Sequence, residues 1–136
     1  MTEGHRFRVS RRIAAPADTV WRLLTDTASW PRWGPSITGA DLDPPAFPAV
    51  LGPGSRGRVR TVAGVALPFT VTAFEAGRSW SWSVAGVAAT GHGVTPAGSS
   101  GSLVTFTVPW WAPLYLPVCA VALQRIERLA LREGPR

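Results

Sequence analysis

Lysine and asparagine are absent from this 136-residue chain, cysteine, tyrosine and methionine occur once each, and only 16% of the residues are charged. A single cysteine, Cys119, excludes an internal disulfide framework. His5, His92 and Cys119 are the only soft or borderline metal ligands, and without a CxxC or HExxH spacing no metal is expected. Gly52-Pro53-Gly54 and Gly91-His92-Gly93 lack the glycine spacing and following helix of a phosphate loop or dinucleotide fingerprint, so no cofactor is expected either. No charged segment leading into an apolar stretch opens the chain, and no apolar run reaches the roughly 18 residues that a spanning helix needs. The expectation is a soluble, cytoplasmic protein without a transmembrane segment.

Acidic residues are scarce as well, and eight Asp and Glu against 14 basic residues give a net charge of +6. Such an excess points first to nucleic acid or an anionic surface. All 14 basic residues are arginine, however, and the joint absence of lysine and asparagine is what a G+C-rich coding sequence produces irrespective of function. The arginines are scattered, apart from Arg11-Arg12 and the alternating Arg56, Arg58 and Arg60, and no zinc finger or aromatic RNA-binding motif accompanies them. Nucleic acid is therefore not an expected partner.

Apolar residues make up 46% of the chain, with seven Trp, 14 Gly and 13 Pro. A chain of this length buries roughly 65–70% of its unfolded surface, so residues 1–136 read as one domain with one core. Residues 5–14 alternate imperfectly and predict a first strand, which breaks at Ala15-Pro16. Val20, Trp21, Leu23 and Leu24 predict an amphipathic helix over 17–26, with Pro16 in its first turn. Ser29 is the expected N-cap of a very short second helix, Trp30 to Trp33, which Gly34-Pro35 ends. A strand over 36–42 precedes a Pro/Gly-rich loop, long enough to suggest a cover over an opening. Strands over 55–63, 66–75, 79–86, 88–95 and 102–110 then follow as antiparallel hairpins. Leu67, Phe69, Val71 and Ala73 share one parity, as do Trp80, Trp82 and Val84, and Val104, Phe106, Val108 and Trp110, so one face of the sheet is apolar. Leu116, Cys119, Ala120, Leu123, Ile126, Leu129 and Ala130 have helical spacing in 112–133, and Pro117 limits the regular part to about residue 116 onward.

The string from Ala14 to Asp26, AAPADTVWRLLTD, followed by Trp30-Pro31-Arg32-Trp33, resembles the opening signature of the polyketide cyclase/dehydrase and lipid-transport family. The strand beginning at Gly54, His92 and the strand beginning at Gly101 fall where similar proteins have their counterparts. The resemblance implies a START-like, helix-grip α+β fold: a curved antiparallel sheet of about seven strands around a long C-terminal helix, with two short helices after the first strand. It implies a cavity between sheet and helix, and members that are aromatase/cyclases, carriers of lipids or hydrophobic metabolites, or co-chaperone-type modules. The opening motif folds the helices over the sheet and contributes no chemistry.

Within such a cavity, His92 and Thr90 point the same way if Val94 points inward, and Gly91 and Gly93 leave room beside the imidazole. One reading gives His92 a proton-transfer role, with Tyr115 and Thr90 hydrogen-bonding a developing oxyanion. The other has His92 bonding a Thr hydroxyl, Tyr115 or a backbone carbonyl and ordering the core. Cys119 reads as a small buried thiol. Trp33, Phe69, Trp80, Trp82, Phe106 and Trp110 are the expected walls of a slot for a small hydrophobic, aromatic or polyketide-like ligand. Adjacent Trp110 and Trp111 face opposite ways on a strand, so one of them marks a homodimer contact or a membrane-facing mouth. Arg56, Arg58 and Arg60 belong on the outer face, solvated, answered by acids of a neighbouring strand, or answered by an acyl carrier protein.

Overall fold

The computed structural model describes residues 6–133, so His5 and the start of the first predicted strand lie outside the described residues. Strand β1 (Arg6–Ile13) leads through Ala15-Pro16 into α1 (Ala17–Thr25), a 3-10 turn (Thr27–Ser29) and α2 (Trp30–Trp33). Six strands follow: β2 (Ile37–Leu42), β3 (Arg56–Thr61), β4 (Ala66–Glu75), β5 (Ser79–Val84), β6 (Val87–Ala97) and β7 (Gly101–Pro109). A 3-10 turn (Pro113–Tyr115) then opens α3 (Leu116–Glu133). The strands form one antiparallel sheet in the order β1-β7-β6-β5-β4-β3-β2, so the chain's first strand closes on its last. This is the expected helix-grip α+β arrangement. The helix α3 lays Cys119, Ala122, Leu123, Ile126, Leu129 and Ala130 on the concave face and keeps its arginines outside.

Three register shifts bend the sheet, as an extra residue in one strand of a pair must; one lies between β2 and β3 at Ile37/Gly39, and the other two set which side chains face inward. Between β4 and β5 the pairing shifts from Val71 to Ala73, which turns Ala73 outward and brings Phe74 against Trp21 at 5.7 Å. The predicted inward Ala73 is thereby corrected. Between β5 and β6, Ser81 pairs with Gly91 but Ser83 pairs with Ala88, so both Ala89 and Thr90 lie opposite Trp82.

Local chemistry differs from expectation at four further places. Pro16 is the N-cap of α1 rather than a first-turn residue. Ser29 makes no cap to α2; its hydroxyl donates to Asp26, whose carboxylate also accepts from the Ala28 N–H and so caps the intervening 3-10 turn. The Pro/Gly-rich loop lines neither space of the concave face and instead binds the end of α1, through Thr27 N–H to the Ala49 carbonyl and Leu51 N–H to the Thr25 carbonyl, with Leu51 buried. Finally, β7 ends at Pro109, so the alternation stops there and both Trp110 and Trp111 are exposed.

The outer face is polar. Arg56, Arg58 and Arg60 lie there as expected, and Arg60 pairs with Asp41 of the neighbouring β2, which answers part of that row of like charge. Arg11 and Glu127, 2.8 Å apart, tie β1 to α3 at the surface.

Candidate functional site

The concave face carries two unequal spaces. At its centre, register aligns Trp80, His92 and Phe106 across β5, β6 and β7. Trp80 stacks on His92 at 4.0 Å, and His92 meets Phe106 edge-on at 4.8 Å. The helix α2 presses two more rings onto this row: Trp30 stacks on Trp80 at 5.6 Å and Trp33 meets Phe106 at 5.8 Å. Their indole N–H groups donate to the Leu24 and Leu23 carbonyls, which fixes α2 against the end of α1. Small residues, Cys119 and Ala122, face the rings from α3 and give them room. The aromatic side chains thus fill the space with one another, leaving an inner cavity of about 30 Å³, the size of a water rather than a polycyclic ligand. Cys119 is buried and its thiol is pushed up to about 11, so it stays protonated and unreactive.

His92 is fully engaged. Its Nδ1 lies 3.4 Å from the Trp80 carbonyl, which can only accept, so Nδ1 carries the proton. Nε2 then accepts from the Thr90 hydroxyl at 2.9 Å, and Thr90 Oγ1 accepts from the Trp82 indole N–H at 3.0 Å. Desolvation lowers the imidazole to about 3, against a smaller opposing effect of the Trp80 carbonyl. An imidazole so buried remains neutral at physiological pH, which removes the near-neutral titration that a proton-transfer role needs. The Thr90 hydrogen is committed to His92, so Thr90 can offer a ligand one lone pair but no proton. The expected Thr90 donation to an oxyanion is corrected on that ground.

Gly91 and Gly93 do not make room beside the ring, because their missing side chains face the other side of the sheet. A Cβ on Gly91 would stand 2.4 Å from Thr107 Oγ1 and 3.1 Å from Ser81 Oγ. We expect Gly91→Ala to destabilise by about 1–3 kcal/mol in urea unfolding, the usual cost of overpacking, whereas Gly98→Ala, with open space beside it, should show only the strain of its positive φ.

The second space is a chamber of about 360 Å³ at the end of the sheet where β3, β5 and β7 finish. Val59, Leu67, Val84, Ala89 and Val108 form its sheet wall, Trp82 and Thr90 its floor, and Ile37, Trp111 and Tyr115 close over it. Among the described residues, no lining side chain is charged. The Tyr115 and Ser36 hydroxyls, 2.9 Å apart, bridge the start of α3 to the start of β2. Burial raises the Tyr115 phenol above its ordinary value, more than the bond from Ser36 lowers it, so it is a neutral donor at physiological pH.

The predicted site residues therefore divide. Trp82, Thr90 and Tyr115 line the chamber; Trp33, Trp80, His92 and Phe106 line only the inner cavity; Phe69 is buried beside Trp30 and Trp82 and lines neither. Trp110 is 63% exposed and lies off both linings, and its neighbour Trp111 lines the chamber instead. Sequence parity could have added Leu67, Val84 and Val108. Ala89 was hidden by the bulge that turns it inward, and nothing in the sequence marked Ser36.

A curved sheet gripping a terminal helix over an uncharged chamber defines a protein of the helix-grip class. The family model for polyketide cyclase/dehydrase and lipid transport matches residues 4–132, and the chain belongs to that family. No curated protein matches it. Among solved structures, a Thermobifida fusca protein is 20% identical, with a TM-score of 0.71 and 97% of each chain covered. XoxI of Bacillus cereus is 17% identical, with a TM-score of 0.69 over 93% of this chain and 95% of its own. DynU16, from the dynemicin biosynthetic locus, is 20% identical, with a TM-score of 0.67 over 96% of this chain and 49% of its own. Likeness at these identities establishes the fold.

Proposed function

We propose that this protein binds one small, mostly apolar molecule bearing a carbonyl or hydroxyl oxygen in the outer chamber. The observation that carries this reading is the chamber itself: about 360 Å³, walled by aliphatic and indole surface, with only neutral hydroxyls at its polar points. That volume suits a single small-molecule ligand. Ser36 can donate to Tyr115, which frees the phenol hydrogen for a ligand oxygen, while Thr90 supplies a lone pair opposite. A carboxylate or phosphate on the ligand would find no counter-charge inside and would stay at the mouth.

Carbonyl-bearing apolar ligands include polyketides, and the family name supports that class. The neutral, doubly bonded His92 favours binding over acid–base cyclisation. A cyclase reading would rest on Tyr115 as the proton donor to an enolate, and would need Tyr115→Phe to abolish turnover of a poly-β-carbonyl chain with its affinity retained.

The test is titration with the uncharged fluorophore N-phenyl-1-naphthylamine, followed by competition with apolar ketones. Ala89→Phe places a ring in the chamber and is expected to weaken uptake at least about tenfold, with far-UV circular dichroism unchanged. Tyr115→Phe should weaken ketones by about 0.5–1.5 kcal/mol and leave the fluorophore unaffected. Uptake that is indifferent to Ala89→Phe would remove the proposal.

A further inference from the structure

One buried donor on the concave face has no acceptor. Trp80 is 1% exposed, and its indole N–H bonds to nothing among the described residues. Nearly every such group in a folded protein is paired, because an N–H removed from water without an acceptor costs free energy. Trp80 lines the inner cavity of about 30 Å³. The other ring nitrogens around that cavity are committed: Trp30 and Trp33 donate to the Leu24 and Leu23 carbonyls, Trp82 donates to Thr90, and both His92 nitrogens are bonded. Among the described residues, Trp80 therefore holds the one ring N–H of the cavity left for a ligand.

The inner cavity adjoins the chamber. Ser36, Ile37, Trp82, Thr90 and Tyr115 line both, so the floor of one space is the outer wall of the other. Its volume admits one small group, of the size of a water. That group must accept a hydrogen bond to satisfy Trp80. It must also be uncharged, since no arginine among the described residues lines the inner cavity and a carboxylate there would be buried without a partner. A hydroxyl or carbonyl oxygen meets both conditions, whereas a methyl group fills the volume and leaves the N–H unpaired.

We infer that Trp80 is a specificity-determining residue, whose indole N–H donates to a second, terminal oxygen of the ligand that reaches in from the chamber. This role rests on the apolar-ligand reading. It narrows the ligand class to apolar molecules oxygenated at both ends, with one oxygen at Tyr115 in the chamber and the other at Trp80. The body of the molecule stays in the chamber, and only the terminal oxygen enters among the rings.

The experiment follows the Trp80 indole N–H resonance of the isotopically labelled full chain as α,ω-alkanediols of six to ten carbons are added, each matched by the 1-alkanol in which a methyl group replaces one hydroxyl. Displacement of N-phenyl-1-naphthylamine reports entry to the chamber. A diol of fitting length is expected to displace the fluorophore and to move the Trp80 N–H downfield, while its alkanol displaces the fluorophore and leaves that resonance in place. Trp80→Phe, which keeps a ring and removes the donor, should weaken that diol about two- to tenfold and leave the alkanol unchanged. The resonance is read on the parent chain, so it decides the matter even if the variant fails to fold. Diols that displace the fluorophore without moving the resonance would overturn the inference and leave the chamber reading intact. So would equal shifts from diol and alkanol, which would show that the N–H responds to filling of the chamber and not to an acceptor. Displacement by neither compound at any length would remove the apolar-ligand reading and this role of Trp80 with it.

Discussion

Trp30→Ala is expected to destabilise the protein by about 3–5 kcal/mol, the range for removing a fully buried large aromatic ring. Trp30 is completely buried, stacks on Trp80, and meets Phe69 at 5.7 Å and Trp82 at 5.4 Å. Its indole N–H also satisfies the Leu24 carbonyl at 3.0 Å at the end of α1, so truncation leaves that acceptor unpaired as well as opening a void. Urea unfolding followed by far-UV circular dichroism measures the loss. The control is Trp110→Ala, a change of similar size at an exposed ring, which should stay within about 0.5 kcal/mol. A loss at Trp30 no greater than at Trp110 would mean that the aromatic cluster does not carry the core.

Acid should destabilise the protein through His92. Its pKa is about 3 in the folded state and 6.5 in an unfolded chain, so the unfolded state takes up a proton first as the pH falls. The stability contributed by the neutral imidazole is fully present above pH 6.5, declines at about 1.4 kcal/mol per pH unit below it, and is gone near pH 3. Between pH 7 and pH 4.5 the loss from this residue is about 2–3 kcal/mol, and near pH 3 it approaches about 5 kcal/mol. His92→Gln retains hydrogen-bonding capacity but cannot titrate, so the variant's stability should fall less over the same window. Parallel profiles for parent and variant between pH 7 and pH 4.5 would show that His92 is not held neutral. The same measurement bears on function, because an imidazole that titrated near neutrality would restore it as a proton-transfer group.

The chamber's position follows from how the core is filled. Six large rings and an imidazole, Trp30, Trp33, Phe69, Trp80, Trp82, Phe106 and His92, occupy the middle of the concave face. Among the described residues, ligand-sized space on this face remains where α3 begins late, at Leu116, because Pro113 and Pro117 confine the approach to a 3-10 turn. The hydroxyls of Ser36 and Tyr115 sit at that gap. Binding therefore takes place beside the aromatic cluster rather than within it.

The order of elements was legible in the chain because each reports on itself: period-two alternation in β4 to β7, helical spacing in α3, glycine at the hairpin turns, and the paired Trp30 and Trp33. Inward-facing Thr90, His92 and Val94 also followed from local parity, since neighbours on one strand alternate whatever lies opposite. Parity could not reveal where a strand stops or slips. The slip at Ser81/Ser83 brought Ala89 inward, the slip at Val71/Ala73 turned Ala73 out, and the end of β7 at Pro109 put Trp110 in solvent. Nor can a list of aromatic residues show whether rings surround an empty slot or fill it, because that depends on how closely α2 approaches the sheet. Periodicity determined the order of elements and the apolar face, which depend on local spacing, and the opening motif pointed to the helix-grip fold by its family resemblance. Tertiary packing alone decided that the rings fill the centre, that His92 is neutral and fully bonded, and that the chamber opens at the mouth, since each depends on contacts between residues far apart in the chain.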